Sequence, residues 1–294
     1  MTGIKKLGLG TVQWGLPYGI ANQQGITTPA SVTKLLTAAR RHGIEVLDTA
    51  SSYGKSETVL GENELDGFKV ITKTPSFTSQ RITNAEIDQL SEAFYRSLSL
   101  LNVKKVYGLL IHHADNLLIP DGEKILAEMA NLKKEGLITK IGVSVYDSSQ
   151  VDSVLKIFNP DLVQLPLNVF DQRMLKSGHL QLLKSQGTEI HVRSVFLQGL
   201  LLMPLNDVPS FFKPIYPLLL RWSDASREQG FTAHQAAIAF VKNLPHVDTV
   251  LVGLDSLTQF NTCIDSFSID RKFDASGLAC NDTIFLNPST WKIK

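Results

Sequence analysis

The stretch IEVLDTASSYG (44–54) combines an apolar run, typical of a buried strand, with polar side chains at and just past its end. The runs FKVITK (68–73) and VYGLLIH (106–112) repeat this arrangement. Strands of a parallel sheet end at the same edge, so the polar residues that follow these runs are expected to meet there. The pattern predicts a parallel sheet with a polar site at the carboxyl ends of its strands.

The residues expected at this edge are Asp48, Tyr53, Lys73 and His112. A Lys ammonium stabilises tyrosinate and lowers the pKa of the phenol, a neighbouring Asp keeps the Lys charged, and a His polarises a carbonyl. Taken singly, Asp48 and Lys73 could be a buried ion pair that serves only the fold, and Tyr53 a packing residue. Together they favour a site that delivers a proton during carbonyl reduction.

Short apolar runs alternate with longer amphipathic segments from end to end, which is typical of repeated βα units. The runs are LGLGT (7–11), IEVLDT (44–49), FKVITK (68–73), VYGLLIH (106–112), ITKIGVSV (138–145), LVQLPL (162–167), EIHVRSV (189–195) and TVLVGL (249–254). They predict an α/β fold, a single (β/α)₈ TIM barrel domain over residues 1–294. An open doubly wound sheet is the alternative, but Gly8 and Gly10 lack the third glycine of its fingerprint.

Two of the intervening segments carry clear helix signals. Residues 84–101 place apolar side chains on one stripe behind a Thr83/Glu86 capping box. Residues 122–135 do the same and stop at Gly136.

Composition excludes several classes of function. Lys plus Arg total 29 against 28 Asp plus Glu, and no basic block is interleaved with aromatic residues, so nucleic acid is not an expected partner. Two cysteines offer neither a disulfide framework nor metal-ligand spacing. The start lacks the apolar core of a signal peptide, and the longest apolar stretch, VFLQGLLLM (195–203), is too short to span a bilayer. A cytoplasmic protein without a metal or a membrane segment is expected.

The His112–His113 pair has to be divided between two roles. His112 continues an apolar strand, and successive strand residues point to opposite sides. We therefore assign His112 to catalysis and His113 to packing, although a register shift of one residue would exchange them.

The motifs around these residues occur in a characteristic order. They are LGLGTVQWG (7–15), LDTASSYGKSETVLG (47–61), VITKT (70–74), LLIHHAD (109–115), KKEGLITKIGVSVYD (133–147) and SVFLQGLLL (194–202). In this order they resemble the aldo-keto reductases along nearly the whole chain. The resemblance implies a (β/α)₈ barrel that uses NADP(H) or NAD(H) to reduce aldehydes and ketones, with the four residues above as its catalytic tetrad and Tyr53 as proton donor. The segments GTVQWGLPYGIAN (10–22) and LNPSTW (286–291) look like a bacterial branch associated with surface-polysaccharide genes, which implies a sugar-like substrate.

The same resemblance implies where the nicotinamide binds. The family holds the carboxamide with a Ser-Asn pair and a Gln; Ser144 and Gln164 match, but Val145 stands at the Asn position. Asn168 is a possible substitute. Arg193 falls where an aromatic residue usually stacks on the ring. Its guanidinium could stack there instead or could pair with a carboxylate.

The remainder of the cofactor is expected to bind at two loops. Gln198, Gly199 and Leu200 would offer backbone amides to the pyrophosphate, and Ser256 with Gln259 would cap a helix whose amino terminus attracts anions.

NADPH-preferring members place Lys and Arg in the second of these loops, and the matching positions here are Gly253 and Gln259. No Lys or Arg occurs between Lys242 and Arg271, and Asp255 adds a negative charge. Relaxed or NADH-leaning specificity is therefore expected.

Trp14 and Tyr18 are expected to line the substrate pocket.

The segment MPLNDVPSFFKPIYP (203–217) forms either a lid or a packed surface excursion. The chain enters the first strand after six residues, so the amino-terminal hairpin found in many members is expected to be absent. Since barrels of this family are often monomers, a monomer or weak oligomer is expected, with a small-molecule carbonyl compound as its partner.

Two other functions remain open at this stage. A cofactor-binding regulatory or sensor protein with vestigial turnover is kept in view by Val145 and Arg193. A barrel lyase or isomerase is disfavoured, because Lys73 beside Asp48 and Tyr53 does not suit a Schiff base or a metal cluster.

Overall fold

The computed structural model describes residues 4–291 and residue 293. Eight parallel strands close into a barrel in sequence order. They are β1 (Leu7–Gly10), β2 (Val46–Asp48), β3 (Lys69–Lys73), β4 (Val106–Ile111), β5 (Ile138–Ser144), β6 (Leu162–Pro166), β7 (Glu189–Arg193) and β8 (Thr249–Gly253). Strand β1 pairs with both β2 and β8, which closes the sheet and confirms the predicted (β/α)₈ barrel.

Helices surround the barrel and pack their apolar stripes on it. They are α1 (Pro29–Arg41), α2 (Ser56–Gly61), α3 (Asn84–Leu101), α4 (Glu123–Lys134), α5 (Ser148–Leu155), α6 (Arg173–Lys176), α7 (His179–Ser185), α8 (Tyr216–Glu228), α9 (Ala233–Lys242) and α10 (Leu257–Ser268). The predicted capping box of α3 is present, since Thr83 and Glu86 exchange hydrogen bonds at its start. α4 lies one residue inside both predicted limits. Among the described residues, no helix is long and apolar enough to cross a membrane.

The barrel interior is a small apolar cluster between two polar ends. Its members are Val46, Ile71, Leu110, Leu162 and Leu251. Strand β1 passes this cluster closely because it contributes glycine: a Cβ on Gly8 would lie 2.8 Å from Thr249 and 2.9 Å from Leu251. The larger core lies between the outer face of the strands and the helices.

At the amino-terminal end of the strands lies a polar cluster that we call the lower cluster: Tyr107, Lys140, Glu189 and His191. The Glu189 carboxylate accepts hydrogen bonds from the Tyr107 hydroxyl at 2.7 Å and from His191 Nε2 at 2.6 Å, and Lys140 also contacts it. Burial alone would raise the pKa of Glu189, but these three donors hold it below its ordinary value.

No strand precedes β1 in the described chain. A short 3₁₀ turn, Ile4–Lys6, leads into it, and Lys6 Nζ donates to the carbonyls of Lys242 and Leu244 at 3.0 and 3.1 Å. These two hydrogen bonds tie the start of the barrel to the end of α9.

Segment 203–217 packs on the surface and contributes no residue to the cavity described below. Phe212 is fully buried, and its ring lies edge-on to Trp291 with 4.9 Å between the ring centroids. The Tyr216 hydroxyl donates to the Val208 carbonyl at 2.8 Å. Of the two alternatives for this segment, the structure favours the packed excursion over the lid.

Candidate active site

The ends of β2 and β3 hold a buried ion pair. Lys73 Nζ lies 2.8 Å from each carboxylate oxygen of Asp48 and 2.8 Å from the Thr49 carbonyl, which satisfies its three N–H donors. Burial alone would lower the pKa of Lys73, but Asp48 and Tyr53 raise it above its ordinary value. Lys73 therefore stays charged beside Tyr53.

Tyr53 lies on the loop between β2 and α2, where two glycines allow close packing. Gly54 has a φ of 57°, and a Cβ on Gly15 would lie 1.8 Å from the Tyr53 carbonyl oxygen. Lys73 Nζ is 5.0 Å from the centroid of the Tyr53 ring. Burial raises the pKa of Tyr53 above its ordinary value, while Lys73 lowers it in part. The sequence-based expectation of a lowered pKa is thus wrong in its net direction, and Tyr53 keeps its proton at neutral pH.

His112 follows β4 and faces the same space as Tyr53, with 6.0 Å between the ring centroids. Its Nδ1 is buried without a hydrogen-bond partner. Burial and the charge of Lys73 lower the pKa of His112 to about 3, so the ring is neutral at neutral pH. The His113 ring lies 4.9 Å from that of His112 but does not line the cavity, so His112 is the member of the pair that faces it.

A cavity of about 600 Å³ opens above these residues at the carboxyl ends of the strands. Asp48, Tyr53 and His112 line one end of it, and the loops after β7 and β8 line the other. Pro288 and Ser289, from the carboxyl-terminal segment, also line it. Sequence reasoning missed that contribution, because the segment carries no chemical signal of its own.

Strands β5 and β6 add buried amide and hydroxyl groups to the catalytic end. Gln164, only 1% exposed, donates from Nε2 to Asp48 Oδ1 at 2.7 Å, while Ser144 lines the cavity beside it. Val145 is fully buried. Asn168 does not replace the missing Asn: its Nδ2 donates to the Ser194 carbonyl at 3.0 Å, its Oδ1 accepts two backbone N–H groups, and it lies outside the cavity.

Arg193 ends β7 and lines the cavity. Its guanidinium lies 4.4 Å from the centroid of the Tyr146 ring and donates to the Val145 carbonyl and the Ser194 hydroxyl, both at 3.3 Å. No carboxylate of the described chain lies within ion-pair distance of it, which rules out the alternative of a carboxylate pair. Apart from Arg193, no Lys or Arg lines the cavity in residues 4–291 and 293.

The loop after β7 has an unusual backbone. Ser194, Leu197 and Gln198 have φ values of 61°, 49° and 55°, in the left-handed region that non-glycine residues rarely adopt. Gln198 and Gly199 line the cavity as predicted, whereas Leu200 is buried and does not. The expected role of Leu200 concerns its backbone amide, and it stays a prediction.

The loop after β8 approaches the cavity at Gly253, where a Cβ would lie 2.3 Å from Gln13 Oε1. That amide oxygen is buried and accepts no hydrogen bond. Ser256 caps α10 by accepting from the Gln259 backbone N–H at 3.3 Å, but it does not line the cavity. In a full capping box the Gln259 side chain would also accept from the Ser256 N–H. Here its Oε1 accepts from the Asp255 N–H instead, at 2.8 Å.

The two residues predicted for the substrate pocket lie in different surroundings. Tyr18 lines the cavity and is 39% exposed. Trp14 is fully buried, and its indole N–H donates to the Leu254 carbonyl at 2.9 Å. It supports the loop after β8 from behind and does not face the cavity, which corrects the expectation for this residue.

The family model described as "Aldo/keto reductase family" matches residues 6–279. The chain belongs to the aldo-keto reductase family.

Individual relatives of this aldo-keto reductase are distant. The chain is 26% identical to D-arabinose 1-dehydrogenase of Saccharomyces cerevisiae over 55% of its own length and 56% of the relative's. It is 26% identical to the NADH-specific methylglyoxal reductase of Escherichia coli over 67% of its own length and 65% of the relative's. Both matches cover less than two thirds of the relative.

Solved structures agree on the fold. Aldo-keto reductase AKR11C1 from Bacillus halodurans, in its holo form, superposes with a TM-score of 0.73 over 93% of this chain and 89% of that one, at 20% identity. Glycerol dehydrogenase AKR11B4 from Gluconobacter oxydans superposes with a TM-score of 0.69 over 91% of this chain and 88% of that one, at 21% identity.

The cavity of this aldo-keto reductase fits the nicotinamide cofactor that the family uses. The buried oxygen of Gln13 has no partner of its own, and its side chain packs against Gly253 at the cavity. Ser144 and Gln164 offer polar atoms beside Tyr53, as a carboxamide requires.

Proposed function

We propose that the protein is a carbonyl reductase that transfers hydride from NAD(P)H to an aldehyde or ketone, with Tyr53 as the proton donor. One observation carries the proposal: Tyr53 and His112 face the cavity with 6.0 Å between their ring centroids, while Lys73 and Asp48 neutralise each other behind them. Family membership supports the same reaction class.

Each residue has a distinct part in the proposed step. The nicotinamide, when bound, supplies the hydride. Tyr53 donates its proton to the carbonyl oxygen as the C–H bond forms, and the Lys73 ammonium stabilises the negative charge that develops on the phenol oxygen. His112 is neutral, and with Nδ1 unprotonated its Nε2–H donates a hydrogen bond that polarises the carbonyl.

Gln164, Ser144 and Arg193 would hold the nicotinamide end of the cofactor. Gln164 already donates to Asp48 through Nε2, which leaves Oε1 as the acceptor for a carboxamide N–H. Gln198, Gly199, Gly253 and the amino terminus of α10 would receive the pyrophosphate and the adenosine.

We further infer a preference for NADH. Apart from Arg193, which lies at the catalytic end, no Lys or Arg lines the cavity in the described chain, so a 2′-phosphate would find no cation at the other end. Asp255 lines that end, where its carboxylate would repel the phosphate and could accept from a ribose hydroxyl. The similar E. coli reductase is named as NADH-specific.

For the substrate, we propose a small hydroxylated carbonyl compound of the sugar class. Tyr18, Tyr146 and Ser289 give the cavity several hydroxyl groups. The yeast relative is named for a sugar substrate, which supports the same class.

Side-by-side titrations of the purified protein with NADH and NADPH, followed by tryptophan fluorescence, test this function. We expect NADH to bind at least tenfold more tightly, and Asp255→Asn to narrow that ratio by removing the repulsion. A strong NADPH preference would contradict the cofactor assignment. Binding of neither nucleotide to folded protein would contradict the reductase itself.

A further inference from the structure

The charge of Arg193, which lines the cavity, is not compensated by a carboxylate within ion-pair distance in the described chain. Both of its hydrogen-bond acceptors, the Val145 carbonyl and the Ser194 hydroxyl, are neutral and lie at 3.3 Å. Its third contact is the face of the Tyr146 ring, 4.4 Å from the guanidinium carbon. By contrast, the Lys73 charge is cancelled by Asp48 at 2.8 Å.

The remaining groups at the catalytic end do not offset this charge. Asp48 is already engaged by Lys73 and Gln164, and His112 is neutral. Arg193 acts electrostatically on Tyr53. Burial raises the pKa of Tyr53, and the positive charges of Lys73 and Arg193 both lower it. The catalytic end therefore carries a net positive charge in a partly buried setting, where charges interact more strongly than in bulk water.

The position of the nicotinamide follows from the proposed reaction, on which this inference rests. Hydride and proton are delivered to the two atoms of one C=O bond, so the nicotinamide ring must lie within a few ångströms of the Tyr53 hydroxyl. Arg193 lines the same end of the cavity as Tyr53. The ring is neutral in NADH and carries a positive charge in NAD⁺, so Arg193 repels only the oxidised form.

We propose that Arg193 makes the site bind the reduced nicotinamide cofactor more tightly than the oxidised one. During reduction, a hydride carries two electrons to the carbonyl carbon and Tyr53 supplies the proton to the oxygen. The product complex then holds a cationic ring beside a guanidinium, and their repulsion favours release of the oxidised cofactor. In the opposite direction the same repulsion weakens binding of the oxidant, so a higher concentration of NAD⁺ is needed to run the reaction as a dehydrogenation.

The test is equilibrium binding of NADH and NAD⁺ to the full-length protein by titration calorimetry, without substrate. We compare wild type with Arg193→Gln, which removes the charge, and with Arg193→Lys, which keeps a cation on a flexible stem. The wild-type ratio Kd(NAD⁺)/Kd(NADH) is expected to fall roughly 10- to 100-fold in Arg193→Gln, as expected for two charges several ångströms apart in a partly buried site. Arg193→Lys is expected to retain most of the ratio. A tenfold fall corresponds to about 30 mV in the midpoint potential of the bound two-electron couple.

The outcomes separate this proposal from the function on which it rests. If wild type binds both nucleotides and the ratio is the same in Arg193→Gln, the proposed role of Arg193 in cofactor discrimination is wrong and the reductase stands. If that variant instead raises the KM of an anionic substrate at an unchanged ratio, Arg193 binds substrate and the proposal is again overturned. If folded wild type binds neither nucleotide, both proposals fail. Should Arg193→Gln not fold, Arg193→Met, which keeps the apolar stem packed on Tyr146, takes its place with the same expectation.

Discussion

The two ends of this barrel carry the same four kinds of polar residue: a Tyr, a Lys, a carboxylate and a His. The upper cluster is Asp48, Tyr53, Lys73 and His112; the lower cluster is the one built around Glu189. In the lower cluster one carboxylate accepts from all three partners. In the upper cluster Asp48 binds Lys73 and Gln164 only.

The difference lies in which groups remain free. At the upper end the Tyr53 hydroxyl and the His112 ring face a cavity of about 600 Å³. At the lower end the Tyr107 hydroxyl already donates to Glu189 at 2.7 Å and has no proton to spare. The same residue types therefore leave polar groups facing a cavity at one end and form a closed hydrogen-bonded cluster at the other. Hydrogen bonds that are already made cannot serve a substrate.

Removing each phenol hydroxyl is the strongest way to test this comparison. In Tyr53→Phe the proton donor is lost, and we expect the rate of carbonyl reduction to fall about 100- to 10,000-fold, the usual contribution of general acid catalysis. Affinity for the nucleotide should change little. Steady-state kinetics and fluorescence titration measure the two quantities.

Tyr107→Phe is the matched control, since it removes the same atom from the lower cluster. It should leave turnover within about twofold and lower the free energy of unfolding by about 1 kcal/mol, the net value of one hydrogen bond. Comparable loss of turnover in both variants would mean that the two clusters are not functionally distinct. If the wild-type protein binds nucleotide but shows no measurable turnover, the sensor alternative is favoured.

Removing each lysine charge tests the ion pairs. Lys73→Met leaves Asp48 buried at 5% exposure without a cation, so we expect the free energy of unfolding to fall by about 3–5 kcal/mol. In Lys140→Met, Glu189 keeps Tyr107 and His191, and a loss of about 1 kcal/mol is expected. Urea denaturation measures both values.

The double variant Asp48→Asn/Lys73→Met checks the reason given for the larger effect. Because it removes both charges, it should recover part of the stability that Lys73→Met loses. No recovery would show that the lysine stem, rather than its charge, supports the fold.

The smallest effect is expected from pH. Reduction requires protonated Tyr53 and neutral His112; the pKa of Tyr53 lies above its ordinary value and that of His112 at about 3. Activity should therefore be lost only when the pH rises past the ordinary pKa of tyrosine, about 10, or falls toward 3. The profile of kcat/KM against pH should be flat near 6.5, where an unperturbed histidine titrates. A limb close to that pH would contradict the assignment of His112.

Stability should respond to acid even where activity is level. The pKa of Glu189 is lower in the folded state than in the unfolded chain, so its contribution is present above the unfolded value of about 4.3 and is lost as the pH falls below it. His112 acts in the same direction below about 6.5, because the unfolded chain binds a proton there that the folded one excludes. Glu189→Gln should flatten the acid limb of a thermal-denaturation profile and leave the pH profile of kcat/KM unchanged.

Some of this site could be predicted because its signals are local. The end of each strand is visible where an apolar run meets a polar residue, so Asp48 and Lys73 could be assigned to one edge, and strand alternation separates His112 from His113. Gly54 and the capping box of α3 are equally local, since each depends on residues within one turn.

Other features depend on partners that are distant in sequence. From the sequence, Trp14 is expected to line the pocket. In the closed barrel its indole N–H instead donates to the Leu254 carbonyl. From the sequence, Asn168 is a possible substitute for the missing carboxamide ligand. In the fold its amide is already bound to the Ser194 carbonyl and to two backbone N–H groups. No periodicity in the sequence encodes which donors and acceptors are already in use.

The sequence by itself determined the eight strands, their order in a (β/α)₈ barrel, the family, and the types of residue at the catalytic edge. It did so because strand length, alternation and motif order are properties of neighbouring residues. Only the tertiary structure decided which of those residues are free to react. In the folded barrel Lys73 donates to Asp48 and to the Thr49 carbonyl, and Arg193 has no carboxylate partner in the described chain. The Tyr107 hydroxyl donates to Glu189, whereas Tyr53 faces a cavity. The physical reason is that burial and long-range hydrogen bonds, which set both charge and availability, exist only once the barrel has closed.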